Sequence, residues 1–212
     1  IETVSEVTGQ VILRGPDIPV EVKAYVTGKV TAVNPEIGCT IETDVAFIQG
    51  IFGIGGETSG PIKLAVKNCD ETVTAENITA DMKGCVVIGG ARLTDDAIEA
   101  ARKVGAVALI GGGMDDQDLK EFLGYDLGVA ITGSEKKGIT VIVTEGFGDI
   151  AMATRTFTLL KRFEGQEASV NGATQIRAGV MRPEIIIPLE AGDCEEESEH
   201  AGGYLDIGLP LR

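Results

Sequence analysis

The sequence predicts an α/β protein in which a β-barrel or sandwich-like opening module precedes a mainly parallel sheet carrying three helices, with an α+β arrangement as the alternative. Three observations lead there. As far as Val66, short β-rich runs recur about every ten residues between Gly and Pro signals, the spacing of small β modules. Beyond Asn68 the text alternates apolar strand, Gly-rich turn and amphipathic helix, the pattern of parallel strands joined by right-handed crossovers. Aromatic residues are only 4% of the chain, with no Trp, so the core must be built from Val, Ile, Ala and Leu, which suits buried parallel strands.

In the opening module, residues 1–68, the candidate strands are VILR, VEVKAYV, GKVTAVN, CTIET, VAFIQGIF and PIKLAV. Turns are signalled by Gly15-Pro16, Gly28, Asn34-Pro35 and the cluster Gly53, Gly55, Gly56. The α/β domain, residues 69–165, opens with the buried strand CVVIGG and a helix over residues 94–104, where Ala97, Ile98, Ala101 and Val104 share one face. Thr94 is placed to cap it, Asp95 and Asp96 fill its first turn, and Gly105 stops it. The unit repeats as AVALI, a GGG turn and a helix over residues 115–123. It repeats again as ITVIVT, a GFGDI turn and a helix over residues 151–162, with LGVAIT as a further strand before it. Residues 166–189 return to β-like runs broken by Gly172 and Pro183, and pack on either domain. Residues 190–212 form an acidic tail, GDCEEESE, ending in an apolar GYLDIGLPL that docks on this chain or on a neighbour.

A chain of 212 residues buries roughly 70% of its unfolded surface, enough for one large core or two modest ones. Hydrophobic residues at 43% and charged residues at 24% are those of a folded protein. The net charge of −15 repels phosphate backbones and anionic membranes, which argues against nucleic-acid and membrane partners. Cys39, Cys69, Cys85 and Cys194 form no CxxC pair and His200 is the sole His, so a zinc site would need remote residues to converge. Cys39 and Cys85 read instead as small buried hydrophobes in a reducing, cytoplasmic setting. No run of 18 apolar residues occurs, and the opening IETVSEVTGQ lacks the pattern of a signal peptide. A start at Ile1 suggests a processed or excised portion of a longer chain, serving there as a swivelling or docking domain.

The stretch DMKGCVVIGGARLTDDAIEAARKVGAVALIGGG, residues 81–113, resembles protease-associated domains, which implies a swivelling β/β/α fold. The resemblance covers 33 of the 212 residues and lacks the aromatic and Cys-rich insertions of extracellular versions. The segments VTGKVTAVNPEIGCTIET and AFIQGIFGIGGE resemble a barrel-sandwich module of the biotinyl and lipoyl type. No Met-Lys-Met tripeptide is present, so the resemblance implies architecture and no covalent cofactor. TEGFGDIAM and NGATQIRAGVMRPE resemble uncharacterised prokaryotic proteins, which imply no activity.

Glycine-rich turns after strands suit phosphate, because backbone N–H groups and the helix dipole converge there. Here Asp95, Asp96, Asp115, Asp116 and Asp149 stand at the helix entrances and take the place of an anion. GxxxxGK[ST] is absent and no GxGxxG follows a strand, so the turns read as packing devices. At the TEGFG turn, Thr144, Glu145 and Asp149 are expected at the carboxyl end of a parallel strand, where open α/β sheets bind ligands. Glu145 and Asp149 are the candidate ligands for a hard cation such as Mg2+, against the simpler reading of a solvated Glu145 and an Asp149 that caps a helix. A second cluster, Asn171, Thr174, Gln175, Arg177 and Arg182, is rich in hydrogen-bonding groups, and its two guanidinium forks suit a carboxylate or phosphate. Their simpler partner is an acid within the chain or on another subunit, such as Glu145 or Glu184. No GxSxG elbow exists, and the sole His stands in the acidic tail.

The expectation is therefore a non-catalytic, homo-oligomeric binding or scaffold module with no cofactor. The alternative is a hydrolase or lyase that holds a small anionic substrate near the TEGFG turn, Arg177 and Arg182, with Mg2+ assistance as an option.

Overall fold

The computed structural model describes residues 2–5, 7–16, 24–124, 137–174 and 181–189. Its elements are β1 (Thr3–Val4), β2 (Val11–Ile12), β3 (Lys29–Asn34), β4 (Gly38–Glu42), β5 (Val45–Gln49), β6 (Phe52–Ile54), β7 (Glu57–Leu64), β8 (Val86–Ile88), α1 (Asp95–Val104), β9 (Ala108–Met114), α2 (Asp116–Leu123), β10 (Thr140–Phe147), α3 (Thr154–Arg162), β11 (Glu167–Asn171) and β12 (Glu184–Pro188). The LGVAIT strand, Gln175, Arg177 and the acidic tail lie outside the described residues.

One mixed sheet of eight strands, in the order β5-β12-β11-β7-β8-β9-β10-β6, carries the molecule. Its centre is the parallel run β7-β8-β9-β10, as the apolar strands and intervening helices predict. These strands are continuous hydrophobic text because both faces are covered: Ile88, Ile110 and Ile142 are all 0% exposed. Burying each contributes about 1.5–3 kcal/mol. The described core is Val, Ile, Leu and Ala in the main, with Phe122, Phe157 and Phe163 at its margin.

The opening segment does not stay apart. β5, β6 and β7 join the same sheet as the later strands, and the boundary expected at residue 68 falls between β7 and β8, which pair in parallel. β11 and β12 insert between β7 and β5. Only β1–β2 and β3–β4 remain outside, as separate two-stranded ribbons.

β5 and β6 lie at opposite ends of the strand order, yet only Gly50 and Ile51 separate them in sequence. The Gly50 amide donates to the Pro183 carbonyl on one side and the Ile51 amide to the Val143 carbonyl on the other, so the sheet curls until both edges share one run of chain. The two ends of the strand order are thereby held close to one another. It requires close approach at Gly53, where a Cβ would sit 2.7 Å from the Gly172 carbonyl oxygen and 2.9 Å from Pro183. The buried Thr174 hydroxyl seals the seam, accepting from the Gly53 amide at 2.8 Å and donating to the Gly53 carbonyl at 3.0 Å.

All three helices were expected, and the differences lie at their starts. Thr94 holds the N-cap position of α1, but its one hydroxyl proton is shared between the Val73 carbonyl, at 2.7 Å, and the Asp96 carboxylate, and it makes no cap bond. Gly105 closes α1 with φ 87°, a left-handed conformation that costs glycine nothing. α3 begins at Thr154, three residues later than its pattern suggests, so Asp149 stands well ahead of it and does not cap it. The GGG run is not a turn either, because β9 continues through Gly111–Gly113 to Met114.

Replacing Thr174 by Val leaves the Gly53 amide and carbonyl without their partner. We expect urea denaturation to report a loss of about 1–3 kcal/mol, with Thr174→Ser restoring most of it. Gly53→Ala should also destabilise the fold through its clash with the Gly172 carbonyl.

Candidate functional site

The expected TEGFG turn is the end of a strand. β10 pairs with β9 up to Val143↔Gly111, slips at Thr144 and Glu145, and resumes at Gly146↔Gly113 and Phe147↔Met114. Two residues of β10 thus oppose one of β9, a bulge of the kind that re-aims side chains. Thr144 is buried and its hydroxyl donates to the Gly111 carbonyl at 3.3 Å. Glu145 turns back to accept the Ala153 amide at 3.0 Å, which takes up a donor at the entrance of α3. Asp149 is exposed. The glycine-rich segment beside this bulge is packed against its neighbours. The Gly112 and Gly113 amides donate to the carbonyls of Gly90 and Ala91, and a Cβ at Gly112 would meet the Ile150 carbonyl oxygen at 2.3 Å.

Of the second cluster, Asn171 accepts the Ala173 amide at 3.0 Å within its own turn, and Thr174 seals the sheet as described. Arg182 is exposed beside Pro183. Gln175 and Arg177 fall outside the described residues. The closure does bring the two candidate segments together. At Gly50 a Cβ would meet the Pro183 ring at 3.0 Å and the Val143 carbonyl oxygen at 3.0 Å. Arg182 and Thr144, the chain neighbours of those residues, therefore flank the same crossing. Around it stand exposed apolar side chains: Ile51, Met181, Ile150 and Phe147, the last with its ring 5.1 Å from that of Phe52.

The residue that the sequence reading missed is Arg92, which follows the Gly89-Gly90 segment. Its Nη1 is 2.7 Å from Asp115, and its Nη2 and Nε are 2.8 and 2.9 Å from a single oxygen of the buried Asp118. Hydrogen bonding to Asp118 raises the Arg92 pKa further, with added attraction from Asp115 and Asp149. Asp118 also accepts the Asp95 amide at 3.3 Å, so one carboxylate ties the start of α1 to the first turn of α2. A signal was present: Arg92 is the only cation among residues 84–101 and precedes two aspartates.

The acids at the helix entrances fare differently from one another. Asp96 accepts the Ala75 amide at 3.2 Å and a hydrogen bond from the Thr94 hydroxyl, and that hydroxyl chiefly lowers its pKa. Asp95 leaves one buried carboxylate oxygen without a partner. Burial first, then the charges of Glu121, Glu99, Asp118 and Asp96, push its pKa up. Elsewhere, hydrogen bonds from Lys63 and Thr79 hold Asp81 down at about 2. Burial, with Glu184 and Glu57 nearby, raises the Tyr25 phenol above its ordinary value.

Among the described residues, no group of three or more His, Cys, Asp or Glu side chains is placed to hold a metal ion, and no helix is long and apolar enough to cross a membrane. An open groove of about 800 Å3 runs between β3–β4 and the outer face of β5 and β12, lined in part by Val26, Lys29, Ile41, Asp44, Val45 and Ile186. None of the expected site residues that lie among the described residues lines it. Cys85 is buried as expected; Cys39 is exposed, because its strand belongs to a ribbon outside the sheet.

Because the folded-state pKa of Asp95 lies above the ordinary 3.8, its ionisation opposes folding. That cost is complete above the folded-state pKa and absent below the unfolded one. Asp95→Asn should melt higher than the parent at pH 7, with the advantage shrinking as pH falls through the folded-state pKa and gone below about 3.9. Thermal melts across this range check the sign.

No family profile and no curated protein matches the chain. Among solved structures it is similar to the aminopeptidase from Aneurinibacillus sp. strain AM-1, at 14% identity and a TM-score of 0.29. The match covers 68% of this chain and 30% of that one, and a likeness this distant carries no argument about fold or activity.

Proposed function

We propose that the chain is a non-catalytic binding or scaffold module that works as a homo-oligomer. The observation that carries this reading is the engagement of the polar side chains expected to do chemistry. Thr144, Glu145, Asn171 and Thr174 each bond a backbone group of their own fold, so they act as structural fasteners. Several large apolar side chains are exposed: Val4, Val11 and Ile12 on β1–β2, Val30 and Val33 on β3, and Phe47 and Phe147 on the main sheet. Exposed apolar groups gathered in this way mark interaction surfaces. The resemblance of residues 81–113 to swivelling protease-associated domains accords with a docking role.

A second reading is favoured by the meeting of the two candidate segments at Gly50. In it, Arg182, with Gln175 and Arg177, holds a small anionic ligand, and Glu145 with Asp149 adds Mg2+.

Thermal shift against a panel of metabolite anions, with and without Mg2+, separates the two readings. A ligand at 100 times its Kd adds about 2.7 kcal/mol, or about 5–11 °C in Tm for a chain of this size. We expect no such shift, and light scattering at micromolar concentration should give a multiple of the monomer mass. A shift abolished by Arg182→Ala would favour the ligand reading, and a strict monomer would remove the oligomer.

A further inference from the structure

We propose that the unpaired edge of β5 takes an extended, basic peptide as an added strand of the main sheet, held by backbone hydrogen bonds. The inference rests on the binding-module reading above and names its surface and its partner.

Pairing with β12 determines which backbone groups of β5 are engaged. The Leu189 amide donates to the Asp44 carbonyl at 2.9 Å and the Gly50 amide to the Pro183 carbonyl at 2.8 Å. Between these two bonds the register sets Ala46 opposite Ile187 and Ile48 opposite Ile185. In an antiparallel pair, residues that bond to the partner strand alternate with residues that do not. Asp44, Ala46, Ile48 and Gly50 therefore turn to β12, while Val45, Phe47 and Gln49 direct their amides and carbonyls the other way. Ile51 is the next residue of that second series, and its amide donates to the Val143 carbonyl at 3.0 Å. β10 thus takes up this edge at Ile51. From Gln49 back to Val45, no strand among the described residues pairs with it.

The other end of the strand order shows what a satisfied edge looks like. There the Thr174 hydroxyl takes both the Gly53 amide and the Gly53 carbonyl. Native edges are commonly blunted by charged residues, proline or a bulge. The strand Val45-Ala46-Phe47-Ile48-Gln49 has neither charge nor proline, in a chain of which 24% is charged, and its register with β12 runs without a shift. Phe47 is 52% exposed, and Gln49 is exposed beyond it. What this edge offers is a line of alternate amides and carbonyls beside an aromatic ring. An extended peptide presents the complementary groups at the same spacing, and a β-branched residue opposite Phe47 adds a favourable cross-strand pair.

Charge narrows the partner further. The chain carries −15, and the exposed Asp44 stands immediately before Val45. A peptide with Lys or Arg beside its paired residues is steered towards this surface, whereas a second acidic copy is repelled from it.

Backbone pairing tolerates many side chains, so a generic strand former serves as the probe: a fluorescein-labelled peptide of alternating Val and Thr with Lys at both ends. Fluorescence anisotropy should show saturable binding at micromolar to millimolar concentration, and Glu in place of the terminal Lys should weaken it. N-methylation of one of the two sets of alternate peptide amides should weaken binding by about tenfold or more, and methylation of the other set should leave it unchanged. Gln49→Pro removes an amide that β12 does not use and should weaken binding likewise, while Gln49→Ala should not. The methylated peptides test the ladder in the parent protein, so the result does not depend on how well Gln49→Pro folds. Binding indifferent to methylation of either set would overturn the β5 edge and leave the binding-module reading standing. Peptide affinity that rises as the protein is diluted would assign the edge to a second copy and overturn the peptide partner. No saturable binding up to millimolar peptide would overturn the proposal, and light scattering would then test the module reading by itself.

Discussion

Two edges of one sheet share a single run of chain, and the rest of the described architecture depends on that constraint. A strand that must pair with β12 before Gly50 and with β10 after it has no room for side chains at the crossing. Glycine at positions 50 and 53 meets this demand, and the Thr174 hydroxyl completes the ladder where no further strand can. Each end of the strand order is paired on one side, β5 with β12 and β6 with β10, and the short Gly50-Ile51 link joins the two ends.

The same closure decides what the polar residues near it can do. A bulge at Thr144 and Glu145 reorients two side chains that periodicity alone would place in the strand pattern. One then ties β10 to β9 and the other meets the entrance of α3. On the other side of the parallel centre, Arg92 plays a comparable part for α1 and α2. Its fork gathers Asp115 and Asp118, and Asp118 in turn receives the Asp95 amide. The acids that look like substitutes for a bound anion thus divide: Asp115 pairs with Arg92, Asp116 with Lys120, Asp96 bonds the Thr94 hydroxyl, Asp149 is exposed, and Asp95 bears the unrelieved cost.

Several polar side chains near the crossing are thus engaged within the fold, while some apolar side chains stand exposed on the two ribbons and around the Gly50 crossing. For a protein of charge −15 this division has a consequence. The net charge opposes the approach of another acidic copy, which favours contact where charge is sparse. The bulge in β3 sets Val33 on the same face as Val30, which their spacing alone would place on opposite faces.

The sequence by itself determined the parallel apolar strands, the three helices, the left-handed stop at Gly105 and the mostly aliphatic core. Each depends on local periodicity or on one residue's backbone preference, and such signals are written within about one helical turn or one strand of text. Only the tertiary structure decided that residues 45–64 belong to the main sheet, that GGG is strand, that α3 starts at Thr154, that Cys39 is exposed, and that Arg92 holds two helices together. It also decided that Thr144, Glu145, Asn171 and Thr174 are fasteners. Those outcomes depend on partners up to 121 residues away, as between Gly53 and Thr174. A hydroxyl or carboxylate reads the same in sequence whether its partner is a ligand or a distant backbone amide, and only the folded chain says which it meets.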